Sequence, residues 1–232
     1  MNATDPREKG WNPAFWWPTA QLTTLFLLVQ STRFFVDMGD DGFHYYAASL
    51  VAEGLVPYRD FFYGSAPGPA VAVGALLAVG APVWLTKLLP LGGAIAAAVF
   101  GGRIAALERG ARAGLLTVAL VLASSLALRI AAYQGAHWVA SGLVLASLYC
   151  GVTGRWVRAG VIVSIASLYD LHGSLGLVPL VWFARSAGQL RPFIYGLTTL
   201  LCGLLLALFV CGTAAIEQTI VYALIDAPGE RA

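Results

Sequence analysis

The sequence predicts an all-α polytopic membrane protein, and three observations carry that prediction. Of its 232 residues, 59% are hydrophobic and only 11% are charged, against roughly a quarter charged in soluble domains. Mean hydropathy is +0.75, and apolar runs follow one another from Thr19 almost to the C-terminus. Several of them approach the roughly 20 residues that a helix needs to cross a bilayer. The basic residues gather in the breaks between runs, at Arg7/Lys9, Arg103/Arg109/Arg112, Arg155/Arg158 and Arg185/Arg191. One transmembrane domain over 1–232 accounts for the chain and leaves no stretch for a separate soluble domain.

The basic clusters set the expected orientation. Placing all four in the cytoplasm satisfies the positive-inside rule and puts residues 1–18 there as well. The first apolar run has a weak basic flank and no small-x-small cleavage site, so it reads as an uncleaved helix over about 19–37, preceded by interfacial aromatics Trp11, Phe15, Trp16 and Trp17. Residues 38–66 then form the first extracytoplasmic loop. The run 69-PAVAVGALLAVGAP-82 is bounded by prolines and too short to span, and reads as a re-entrant or interfacial helix.

The second span covers about 83–107, the third about 113–132, and the fourth about 138–154 after the outer turn 133-YQGAHW-138. Arginines flank 159-AGVIVSIASLYDLHGSLGLVPLVWFAR-185 on both sides, so it reads as a hairpin of two short spans that rises from the cytoplasm and returns. A last span over about 192–213 leads to an extracytoplasmic tail, 214–232. The count is about seven spans; a single helix over 159–184 would give six. In the second span Gly93, Ala97, Gly101 and Ala105 repeat every four residues, a spacing that lets a neighbouring helix approach closely in lipid.

A net charge of +2, with no basic stripe carrying interleaved aromatics, excludes nucleic acid as the partner. Cys150, Cys202 and Cys211 lie in apolar segments and read as small core- or lipid-facing residues. No Cys/His spacing marks a structural metal site.

Charge is concentrated at 38-MGDDGFHYYAASLVAEGLVPYRDFFYGSAPGP-69, which holds Asp40, Asp41, His44, Glu53, Arg59 and Asp60. Phe43, Tyr46, Ala47, Leu50 and Val51 have helical spacing, with a stop at Gly54 and Pro57. This predicts an amphipathic juxtamembrane helix with Asp40 at its N-cap position. The cap accounts for Asp40 by itself. The crowding of ionisable groups at a bundle mouth points further, to a functional site. Arg59 and Asp60 also read as a local surface ion pair.

The order of these pieces resembles the GT-C glycosyltransferase superfamily, in the branch of protein O-mannosyltransferases and lipid A aminoarabinose transferases. The resemblance lies in 40-DDGFHYYAASLVAEG-54, 57-PYRDFF-62 and 67-PGP-69. It extends more weakly to Lys87, 109-RGAR-112 and 216-IEQTIVYAL-224. It implies transfer of a sugar from a polyprenyl-phosphate-linked donor to an acceptor outside the cell (inner) membrane. The resemblance likewise implies Asp40 as the general base, with Asp41 beside it as a second catalytic candidate. Such a base must take the proton of a poorly nucleophilic hydroxyl, and cations must stabilise the departing phosphate. Arg59, Lys87, Arg129 and Arg33 are the candidates, each also readable as a snorkelling residue.

The chain departs from the resemblance in two places. An acidic residue implied in the second outer loop is replaced by the region of His137, which offers a ligand or base. A lysine implied at the hairpin apex is replaced by Asp170 and His172, additional site candidates with His44. The sequence names no cofactor, and the reaction admits a divalent cation without designating its ligands. Relatives continue through further helices, so this chain corresponds to the seven-helix core of that type. Implied partners are the donor lipid, membrane lipid and a second membrane subunit. Two other functions fit the residues: a non-catalytic GT-C-core subunit that binds or scaffolds beside another membrane protein, and a small transporter using Asp170 and His172 at a helix break.

Overall fold

The computed structural model describes residues 12–32, 41–133 and 137–218. Asp40, Arg33, the first basic cluster and the tail beyond Gln218 lie outside the described residues, as does the side chain of Asp41. Among the described residues 81% are helical and none lies in a strand, in keeping with the all-α expectation. The helices are α1 (Pro13–Ser31), α2 (Asp41–Ala52), α3 (Gly68–Ala78), α4 (Val83–Thr86), α5 (Leu88–Arg109), α6 (Ala111–Leu122) and α7 (Ser125–Ile130). They continue with α8 (Trp138–Val152), α9 (Trp156–Tyr169), a 3₁₀ turn (Leu171–Gly176), α10 (Leu177–Ser186), α11 (Leu190–Cys211) and α12 (Ala214–Ile216).

Among the described residues, two helical stretches are long and apolar enough to cross a membrane: the continuous Val83–Arg109 and Leu190–Cys211. Gly68–Ala78, Ala111–Leu122, Trp138–Val152 and Trp156–Tyr169 are apolar but shorter than the roughly 20 residues of a full span. The expected third span is divided. Its first part ends at Leu122, and Ser124 caps α7 by accepting the Ala127 N–H at 3.1 Å. The hairpin expected over 159–185 is divided by Asp170, which ends α9 in extended conformation (φ −153°, ψ 138°) and caps the 3₁₀ turn.

The first helix starts earlier than the hydropathy pattern alone predicts. Asn12 accepts the Ala14 N–H at 3.0 Å and Pro13 occupies the first turn, both favourable helix-start features. Phe15, Trp16 and Trp17 therefore lie within the helix. Phe15 is buried where α5 and α6 cross closely: a Cβ on Gly114 would fall 2.9 Å from its ring and 2.7 Å from the Gly102 carbonyl oxygen. The Arg103 guanidinium lies over the Trp16 ring (5.2 Å) and donates to the Tyr149 hydroxyl at 2.6 Å. This cation–π and hydrogen-bonded contact ties α1, α5 and α8 together.

Close backbone approach organises the bundle. A Cβ on Gly93 would lie 2.5 Å from the Trp138 backbone, and one on Gly142 would lie 2.6 Å from the Gly93 carbonyl oxygen. The α9–α11 contact is equally tight: Gly160 would meet the Phe193 oxygen at 2.4 Å and Gly196 the Val157 oxygen at 2.3 Å. The four-residue spacing seen in the sequence is used at Gly93. Farther along α5 the tight position is Gly102, facing α6, whereas Gly101 has room for a Cβ. Side-chain hydroxyls within this region bond to backbone carbonyls, as in Ser147 to Ala159 at 2.6 Å and Ser164 to Gly160 at 2.7 Å, which satisfies these buried polar groups.

These contacts separate the bundle into two ends. Helices α8 and α10 both finish in left-handed glycine turns, at Gly154 (φ 77°) and Gly188 (φ 67°). The next amides bond back across the turn, Arg155 N–H to the Cys150 carbonyl at 2.8 Å and Gln189 N–H to the Ala184 carbonyl at 2.7 Å. Both reproduce the outer bond of the Schellman motif. Together with the α5–α6 turn at Gly110, they carry Arg109, Arg112, Arg155, Arg158, Arg185 and Arg191 to one end. Tyr133, His137, the Asp170 break and the α2–α3 unit occupy the other.

Candidate functional site

The polar end is built from three separate stretches. Helix α2 packs along α3, with Gly74 admitting Val51 and Ala48 closely. Its buried face is Ala47 and Ala48, whereas Phe43 and Tyr46 are exposed. The face of α2 buried against α3 is thus made by small residues, while Tyr46 points outward and Phe43 is exposed on one side of its ring.

Between α2 and α3 the segment 57-PYRDFF-62 forms a closed loop. Asp60 accepts two bonds from Arg59, at 2.9 and 2.8 Å, and the Val56 N–H at 2.8 Å. Tyr58, with φ 69°, sits in a conformation that L side chains rarely adopt, held by its N–H to the Phe61 carbonyl (2.9 Å) and its hydroxyl to the Ser65 carbonyl (2.5 Å). Gln218 bridges the loop from below α12: its Oε1 accepts the Tyr63 N–H and its amide donates to the Tyr58 carbonyl, both at 3.0 Å. Hydrogen bonds from Arg59 and Val56 bring the exposed Asp60 down to a pKa of about 2. Arg59 and Asp60 consequently satisfy each other and shape the loop.

The loop presents Tyr63 to the bundle. Its side chain is fully buried, stacks on Phe43 (centroids 5.5 Å, interplanar 10°) and is hydrogen-bonded to His44 Nδ1 at 3.1 Å. Burial, reinforced by the nearby tyrosines and the charge of Asp170, raises the Tyr63 phenol above its ordinary range. His44 also meets Tyr133 edge to face at 6.5 Å. Gly68 seats the start of α3 on the end of α9, where a Cβ would lie 2.3 Å from the Tyr169 backbone. The first loop and the α9 break are therefore in direct contact.

At that break Asp170, 7% exposed, gathers two histidines. One carboxylate oxygen is bonded to His137 Nδ1; the other accepts the His172 N–H and contacts His172 Nδ1, both at 2.9 Å. The two imidazoles face each other with centroids 4.0 Å apart. Burial opposes ionisation of Asp170, but the bonds from His137 and His172 prevail and bring its pKa down to about 2. The bond to Asp170 raises His137 in turn, against the effect of its own burial. A carboxylate between two imidazoles can relay a proton, orient either ring or share a cation with both.

Other candidates lie around this arrangement. Lys87 is 1% exposed at the α4–α5 junction, next to Thr86, whose hydroxyl donates to the Tyr45 hydroxyl of α2 at 3.3 Å. Arg129 is exposed in the last turn of α7. Asp41 is the first residue of α2. The structure thus joins His137, Asp170 and His172 directly and brings His44 alongside through Tyr63 and Tyr133, whereas Arg59 and Asp60 are engaged with one another. Tyr63, Tyr133 and Gln218 were not singled out as site residues from the sequence. Tyr63 directly follows 57-PYRDFF-62 and Tyr133 opens 133-YQGAHW-138, so their positions in polar turns were the available signal.

No family model, curated protein or solved structure matches the chain. The described residues define the class: an all-helical protein with two apolar helices of membrane-crossing length and a His/Asp/Tyr-lined end opposite the arginine-bearing turns at 109–112, 155–158 and 185–191.

Proposed function

We propose that this chain is an integral membrane glycosyltransferase of GT-C type, with about seven spans. In this reading it transfers a sugar from a polyprenyl-phosphate-linked donor to an acceptor on the extracytoplasmic side. The observation that carries the reading is the meeting of the first loop with the α9 break, through Gly68 on Tyr169 and through His44, Tyr63 and Tyr133. All of this lies at the end of the bundle opposite the arginine turns. By the positive-inside rule that end faces away from the cytoplasm. The shorter helices then serve as partial spans in a locally thinned bilayer.

Asp40 takes the acceptor hydroxyl proton as the acceptor oxygen forms its bond to the anomeric carbon. The bond from that carbon to the phosphate oxygen breaks, and the polyprenyl phosphate leaves with the electron pair. Lys87 and Arg129 supply positive charge near the leaving group. Asp170, bonded to His137, provides the carboxylate that the resemblance implies for the second outer loop, contributed here from a different segment.

Purified full chain in proteoliposomes, given a labelled polyprenyl-phosphate sugar and a hydroxyl acceptor, is expected to release labelled product. Asp40→Asn should lower the rate by roughly 10²–10⁴-fold; activity retained in that variant would remove Asp40 from the role. Single cysteines at Thr153 and Ser174, in a background lacking the native three, should label from opposite sides of the membrane. Labelling from the same side would break the topology.

A further inference from the structure

We propose that His137, Asp170 and His172 form a binding site for one divalent first-row transition-metal ion, of the Zn²⁺ class. The three side chains offer ligand atoms that all lie within 4.8 Å of one another. In a tetrahedral site with metal–ligand bonds of about 2.0–2.2 Å, neighbouring donors stand roughly 3.3 Å apart. Small rotations of the two exposed imidazoles set that spacing, opening the His172 Nδ1–carboxylate contact from its present 2.9 Å. Each Nδ1 gives up the proton it shares with the carboxylate, to solvent or by tautomerisation to Nε2–H, and the cation takes its place, so the groups that already face one another become its ligands.

The donor set selects the metal. Two neutral imidazoles and one carboxylate suit zinc and its first-row neighbours, whereas Mg²⁺ and Ca²⁺ favour all-oxygen shells. Three protein ligands leave the remaining positions for water or an anion, the pattern of a reactive site. The side chains of His137 and His172 are 51% and 61% exposed, so those positions open to solvent. Asp170 is rigidly placed by the His172 N–H, the kind of support that orients a ligating carboxylate.

Two of the chain's three histidines are thus committed to one point, though they are 35 residues apart in sequence (172 − 137). The inference rests on donor geometry and is independent of the transfer reading. Where both hold, the ion's open positions accept a phosphate oxygen of the donor, at the apex where the resemblance implies a lysine.

The test uses chelator-stripped full chain, purified without a polyhistidine tag, in detergent or nanodiscs and with no sugar donor present. Titration with Co²⁺, read by visible d–d absorption, is expected to saturate at one ion per chain and to be reversed by Zn²⁺ but not by excess Mg²⁺. Changes to supporting groups around a metal cost about 10–100-fold in affinity. Loss of a direct ligand in His137→Ala or His172→Ala should therefore weaken Co²⁺ binding by at least about 100-fold. The elution volume and helical circular dichroism of these variants should stay as in the parent chain. Absence of a saturable Co²⁺ signal in the parent chain would overturn the site, and so would undiminished affinity in both variants.

Discussion

The α9–α11 crossing and the Asp170 break are consecutive parts of the same helical path, yet they are built on opposite rules. At the crossing, Gly160 and Gly196 bring backbones together with no space for a Cβ, and neighbouring serines return their hydroxyls to helix carbonyls. Ten residues after Gly160 the helix has stopped at Asp170, and three ionisable side chains turn toward one another beside solvent. The first region spends its polar groups on its own backbone, and the second holds them for something else. The difference identifies which part of an apolar bundle is scaffold and which is site.

The largest expected effect lies in the scaffold. Gly160→Ala should destabilise by about 1–3 kcal/mol, the usual cost of overpacking, because the obstruction is the Phe193 carbonyl and no flexible side chain can yield. Gly101→Ala, with its nearest neighbours at 3.8 Å, is the control and should be neutral in thermal melts followed by size-exclusion recovery. Equal losses in both variants would show that α5 and α9 are not packed as described.

Gly68→Ala should come next, and it sharpens the comparison because it strikes the seam between the first loop and the break. Its Cβ meets the Tyr169 backbone, so α3 must shift. The expected loss is again about 1–3 kcal/mol, now accompanied by a change in crosslinking yield between cysteines placed at Ala66 and Leu171. Unchanged crosslinking would separate the loop from the break.

Tyr63→Phe removes the bond to His44 while keeping the stacked ring. About 1 kcal/mol should be lost, the net worth of one hydrogen bond, as measured by the same melts. An effect near zero would mean that His44 finds another partner once the hydroxyl is gone. The smallest effect belongs to Asp60→Asn: its charge is exposed, and surface pairs contribute little, so no shift in melting temperature is expected. Faster cleavage of the 57–62 loop by added protease should nevertheless follow, since Arg59 and Val56 lose the shared acceptor.

Much of the scaffold was legible in the sequence. Apolar runs separated by arginine-bearing turns predicted α5, α8 and α11 to within a few residues, and the divided hairpin followed from the polar residues at its centre. The boundaries that differed were settled by local chemistry that hydropathy averages away: the Asn12 cap moved α1 toward the N-terminus, and Ser124 divided the third helix. The site was legible only as separate candidates. His137, Asp170 and His172 were each noted, but their union depends on how α8 and α9 pack, and no local pattern states that. Arg59 beside Asp60 was readable as an ion pair because that contact is between adjacent residues.

The sequence by itself determined that the chain is helical and apolar, where its helices turn, and which residue types stand at its polar breaks. These follow from backbone propensity, side-chain transfer energies and charge, all of which act locally. Only the tertiary structure decided that the first loop rests on the α9 break, that Gln218 reaches back to Tyr58 and Tyr63, and that two histidines share one carboxylate. Apart from the local His172–Asp170 pair, such contacts join residues from 33 to 160 positions apart. Their existence depends on which glycine faces let which helices come close, and that is a property of the packed bundle as a whole.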